Sequence, residues 1–157
     1  MSVSKIRQSI ILVIVAACFF TLDSGETWSG ETFRKSKLTL KTITGEHTFT
    51  IEIAETQAQH SQGLQWRKEL AADAGMLFNF GEPQPTAMWM KDTFIPLDML
   101  FIAVDGTVAS IARNTKPHSL SMIRSQGPVK GVLELRAGTA ARLVIRPGDR
   151  VQHAIFR

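Results

Sequence analysis

Lys91, Asp92 and Asp98 are the residues of this sequence best placed to do chemistry. They stand inside AMWMKDTFIPLDMLF, residues Ala87 to Phe101, one of the most apolar stretches of the chain. An unpaired charge is costly to bury, so these groups must sit at strand ends, pair with one another, or line a wet cleft. A carboxylate near a lysine can act as a general base, or the cluster can hold an anionic or zwitterionic ligand. Glu134, in VLEL, and Arg67 are the charged residues expected to converge with them. The candidate ligand-binding set is therefore Arg67, Trp89, Lys91, Asp98 and Glu134, with Asp98 and Glu134 as candidate general bases. The same residues also fit a purely structural network. In that reading Asp98 accepts backbone N–H bonds near Pro96 and Glu134 is satisfied by Arg67, because buried charges often fix register rather than perform chemistry.

Methionines offer a second chemistry. Met88 and Met90 are two apart, so on a strand they share a face. Met76, Met99 and Met122 can join them, with Trp89 nearby. Thioethers suit Cu(I), which makes Met88, Met90 and Met99 the metal candidates; the alternative is that they fill a core. His47, His60, His118 and His153 are scattered without ligand spacing and read as surface residues. The sequence has no Gly-x-Ser-x-Gly, no glycine-rich phosphate loop and no His-Glu-x-x-His. Ser119 and Ser121 lie in a long loop that also carries Lys116, His118 and Arg124. No cofactor is expected.

The elements that must position these groups are mostly strands. Lys37–Ile43 and His47–Ala54 alternate apolar and polar residues around Thr44-Gly45-Glu46 and predict a hairpin. Thr56, with Gln59 three residues on, predicts a capped helix running to about Trp66. Ala74–Phe80, Ala87–Lys91, Leu97–Val104, Thr107–Arg113, Val129–Arg136 and Arg150–Phe156 read as further strands. Gly81–Thr86 reads as a loop, and Ala137–Arg142 as one helical turn. Asp105-Gly106 predicts a two-residue type I′ turn. The whole is expected to be mainly β with one or two short helices, an α+β arrangement built on a small antiparallel barrel or sandwich.

Six motifs occur in order: Gly63-Leu64-Gln65-Trp66-Arg67, Gly75-Met76-Leu77-Phe78, Trp89-Met90-Lys91-Asp92-Thr93, Pro96-Leu97-Asp98, Val132-Leu133-Glu134-Leu135 and Gly148-Asp149. On these the chain resembles the domain of unknown function 192 family, from about Lys37 to Phe156. The resemblance implies a small bacterial protein, often exported, and no particular activity. Two positions depart from the family pattern: Gln65 where methionine is usual, and Asp92 where asparagine is usual.

The N-terminus carries its own signal. Lys5 and Arg7 precede Ile10–Leu22, thirteen uncharged and almost wholly apolar residues. That is shorter than the ~20 a spanning helix needs and fits a secretory signal peptide or anchor over residues 1–25. A polar linker, 26–36, then leads to one globular domain, 37–157. Val15-Ala16-Ala17-Cys18 also resembles a lipobox, although Phe19 and Phe20 continue the apolar run. Cys18 is the only cysteine, so the domain itself can form no disulfide. The net charge of +4 is spread out, with no clustered basic patch for nucleic acid.

These features point to a periplasmic or secreted binding or accessory module, touching the membrane only through its N-terminus. Its partner would be a small ligand or an envelope protein. A hydrolase using Asp98 or Glu134, and a Cu(I)-binding protein, are the alternatives. Residues 1–36 fused to a reporter active only outside the cytoplasm should yield activity; a well-expressed but inactive fusion would refute export.

Overall fold

The computed structural model describes residues 30–156. The expected signal segment and the first residues of the linker lie outside them. The chain folds as nine strands with two short helices and is mainly β. β1 (Arg34–Thr42) and β2 (Gly45–Ala54) form the expected hairpin. Its turn falls at Ile43–Thr44, one residue earlier than the sequence suggests, because Thr42 pairs with Gly45. β1 also begins inside the expected linker, at Arg34. The preceding residues dock on the next helix, where Gln59 donates to the carbonyl of Thr32.

That helix, α1 (Gln57–Gln62), carries the predicted capping box: Thr56 Oγ1 accepts from the Gln59 amide while Gln59 reaches back to the Thr56 amide. It ends at Gln62, four residues before Trp66, and is capped by Gly63, whose φ is +48°. β3 (Ala74–Gln84) then runs parallel to β2. It continues through the segment expected to be a loop by bulging. Its five steps from Asn79 to Gln84 span what two steps, Gly131 to Val129, span on its antiparallel partner. β4 (Ala87–Met88) is shorter than predicted and leaves the main sheet to pair with β7 (Ile123–Arg124) in a separate ribbon.

β5 (Leu97–Ile102), β6 (Val108–Ala112), β8 (Val129–Arg136) and β9 (Arg150–Gln152) complete a seven-stranded sheet of order β6-β5-β8-β3-β2-β1-β9. Only the β2–β3 pairing is parallel. α2 (Thr139–Arg142) follows β8, and a single 3-10 turn, Ala154–Phe156, replaces the end of the expected last strand. The sheet curls into a half-barrel whose two edges touch at one corner. There the Val108 amide donates to Asp149 O and the Val151 amide to Gly106 O, each at 2.8 Å.

Two apolar clusters sandwich the central strands. Leu38, Leu40, Ile51, Leu77, Leu100 and Leu133 fill the inside of the curl. Met76, Phe78, Met90, Met99, Phe101 and Val132 pack on the other face. All six residues of β5 are buried, as expected for a strand covered on both sides.

The Asp105–Gly106 turn is not type I′. Gly106 has φ +86°, but Asp105 is not among the positive-φ residues. Ala103 and Thr107 bracket a three-residue loop, with the Gly106 amide donating to Ala103 O and the Ala103 amide to Thr107 O. A left-handed glycine closes such loops. Gly106 also abuts the other sheet edge: a Cβ there would lie 2.4 Å from Val151 O. Gly106→Ala should therefore destabilise the protein by about 2 kcal/mol or more, from strained φ and a backbone clash together. Chemical denaturation would measure it, and a wild-type midpoint would show that the corner is free to open.

Candidate functional site

The strand registers place one row of residues across the second face of the sheet. Lys35 pairs with Glu52, Glu52 with Met76, Met76 with Glu134, Glu134 with Met99, and Met99 with Ala112. Directly paired residues share a face, and sequence neighbours on a strand point to opposite faces. Asp98 precedes Met99, so it faces the inside of the curl. The two carboxylates predicted to work together are separated by the sheet itself.

Asp98 is 1% exposed and fully engaged. One oxygen accepts from the Asn114 amide at 2.9 Å and the other from the Ala140 amide at 2.8 Å. It thus ties the start of β5 to the loop after β6 and to the first turn of α2. The structural expectation holds in kind, but the donors are these two amides rather than groups beside Pro96.

Arg67 does not meet Glu134. Its guanidinium makes two hydrogen bonds to Glu52, at 2.5 and 3.4 Å. Glu52 lies two strands from Glu134 in the same row, about 10 Å at ordinary strand spacing. Arg67 borders a different feature, an open cleft of about 1110 Å³ that also involves Lys35, Lys68, Glu69 and Arg136. Lys91 pairs with neither Asp92 nor Asp98; its ammonium lies 5.5 Å from the Trp89 ring centroid. Met90 and Met99 are completely buried in the second cluster, and Met90 Sδ accepts from Thr115 Oγ1 at 3.1 Å. Packing accounts for both. Met88 is half-buried.

Three of the predicted site residues do converge. Trp89, Lys91 and Glu134 line one chamber of about 30 Å³, roofed by two loops. The first loop is Gly63-Leu64-Gln65, which turns sharply out of α1. Gly63 suits that turn because of its φ and because a Cβ there would come within 3.0 Å of the Phe78 ring. The second is the turn from Trp89 to Thr93. The Trp66 amide donates to Asp92 O at 2.8 Å and locks the loops together. Both residues sit in the left-handed region, Trp66 at φ +60° and Asp92 at +52°. Aspartate tolerates that region, as asparagine does, whereas a tryptophan there is strained.

Glu134 forms the floor of this chamber. It is 3% exposed, and its carboxyl has no hydrogen-bond or ionic partner among the described residues. Burial pushes it up to about 8. Burial thus favours the carboxylic acid, which has an O–H to donate.

The chamber adjoins an open groove of about 520 Å³. Trp89, Met88, Phe78 and His60 belong to both, and Phe80 and Pro85 extend the wall. His60, read from sequence as a surface residue, is a wall residue instead. Its Nε2 donates to Ala54 O at 3.0 Å and its ring meets Phe80 edge-on with centroids 5.3 Å apart. Phe78 and Phe80 were visible as alternating aromatics on one strand, but nothing in their spacing distinguished a groove from a core.

Comparison with known proteins places this architecture. The DUF192 family, described as "Uncharacterized ACR", matches residues 39–153, and the chain belongs to it. A solved structure from Sinorhizobium meliloti 1021, provisionally labelled a transcription regulator, is 49% identical. The match has a TM-score of 0.77 and covers 80% of this chain and 98% of that one. A protein of unknown function from Novosphingobium aromaticivorans DSM 12444 is 38% identical, with a TM-score of 0.75 and coverage of 77% and 86%. No curated protein matches the chain.

The Glu134 geometry has a consequence for stability. Between the ordinary glutamate value of 4.5 and about 8, an unfolded chain has released a proton that the folded one keeps. Raising the pH through this window therefore favours unfolding, by up to ~1.4 kcal/mol per pH unit from this group. Glu134→Gln, which cannot titrate, should remove that slope. Thermal melts of both proteins at pH 5 and pH 8 should show the variant gaining on wild type as the pH rises. Parallel curves would mean that Glu134 is ionised and solvated in the fold.

Proposed function

We propose that this DUF192 member is an exported small-molecule-binding module of the cell envelope, and that its site is the groove between α1 and the β4 arm ending at Glu134. The observation that carries this reading is a nearly buried carboxyl without a protein partner, lining a chamber beside a groove of mixed polar and aromatic walls. Phe78, Phe80, Met88 and Trp89 give the groove apolar surface for affinity, and its polar residues offer groups that can orient a ligand. At about 520 Å³ the groove lies within the usual range for small-molecule pockets, roughly 300–1,000 Å³. The charged N-terminus followed by the Ile10–Leu22 apolar run supports export.

Hydrolysis has less support. Asp98 has both oxygens committed to backbone amides and faces away from the groove. Burial of Glu134 favours its protonated form, which donates a proton rather than accepting one. DNA reading by a recognition helix also lacks an element: α1, with six residues, is the longest helix among the described residues. The regulator label therefore stays with the Sinorhizobium meliloti protein.

Neutral apolar probes test the groove directly. Titrating 1-hexanol and indole into ¹⁵N-labelled protein should shift the amides of His60–Leu64, Phe78–Phe80 and Trp89–Lys91, with Kd on the order of 1 mM. Shifts confined to the cleft around Arg67 and Gly75, or none at all, would overturn the assignment.

A further inference from the structure

We propose that the chamber takes a carboxylate head group, held between the Glu134 carboxyl and Lys91 Nζ, on a ligand whose apolar body lies along Trp89, Met88, Phe78 and Phe80. This deepens the groove reading and rests on it. The chamber's size fits: about 30 Å³ accommodates roughly two water-sized groups, the bulk of two carboxylate oxygens.

Electrostatics separates a carboxylate from an ammonium. The titratable groups facing the chamber are Glu134 from β8, Lys91 from the turn after β4, and His60 from α1. β3 and β5 present Met76 and Met99 beside Glu134, neither of which titrates. The His60 ring is committed through Nε2 to the Ala54 carbonyl. Lys91 forms no ion pair among the described residues, only the contact with Trp89. Glu55, on the outer groove wall, is already paired with Arg34 at 3.0 Å. The charge at the chamber mouth is therefore positive.

A ligand carboxylate would accept from the Glu134 O–H and lie beside an unpaired ammonium. An acid–carboxylate bond of this kind is short and charge-assisted. A ligand ammonium would instead need Glu134 ionised and would sit against Lys91.

Three probes with the same six-carbon body separate the possibilities: sodium hexanoate, 1-hexanol and hexylamine, followed by amide shifts of the intact protein. Hexanoate should bind more tightly than hexanol at pH 6.5. It should weaken about tenfold by pH 9, as Glu134 ionises. Hexanol should show no such dependence. Glu134→Gln keeps a donor and cannot ionise, so hexanoate should still bind and lose its pH dependence. Lys91→Met, at an exposed position, should weaken hexanoate by more than it changes hexanol. Hexanol binding as well as hexanoate, or hexylamine binding best, would overturn the head-group assignment while leaving the groove intact. Failure of all three probes to shift the groove would overturn both.

Discussion

Strands β3, β5 and β8 carry apolar side chains on both faces, so neither side of the central sheet can be left to water. The curl of the sheet itself covers the first face. Its closure depends on the corner where β9 meets the β5–β6 loop, and on α2, which Asp98 anchors. The second face has only the two-stranded β4–β7 ribbon, not a full sheet, to cover it. It is covered piecemeal by Leu64 from the loop after α1, by Met88 and Ile123 from the small ribbon, and by Met90 from the turn after β4. Cover assembled from short loops leaves gaps, and the Glu134 chamber is where those loops fail to close over the sheet.

Two carboxyl groups lie one strand apart and meet opposite fates. Asp98 and Glu134 both sit in the middle of the sheet and both are nearly inaccessible. Asp98 points to where the chain supplies two amide donors, and it serves as a brace. Glu134 points to where the chain supplies methionines, and the Arg67 guanidinium is taken up by Glu52. A buried group without partners lowers stability, and proteins retain such groups mainly at sites that bind or react. The strained Trp66, bonded across to Asp92, adds a local cost in the loops between the chamber and the Arg67 cleft.

Much of this protein was fixed by local rules that act within a few residues. The thirteen-residue apolar run, the capping box of Thr56 and Gln59, the β1–β2 hairpin and the full extent of β8 from Val129 to Arg136 follow from periodicity and short-range hydrogen bonding. The motifs sufficed to place the chain in its family. Trp89, Lys91 and Glu134 could be singled out as a site because charges in apolar surroundings are visible in a sequence. What only the tertiary structure decided is which charges meet. Arg67 chose Glu52 over Glu134, Asp98 turned to the opposite face, β3 bulged through its prolines, and His60 became a groove wall. Each outcome depends on strand order, on register and on the pleat, where a shift of one residue moves a side chain to the other side of the sheet. Those quantities are set by pairing between segments distant in sequence, and no local pattern carries them.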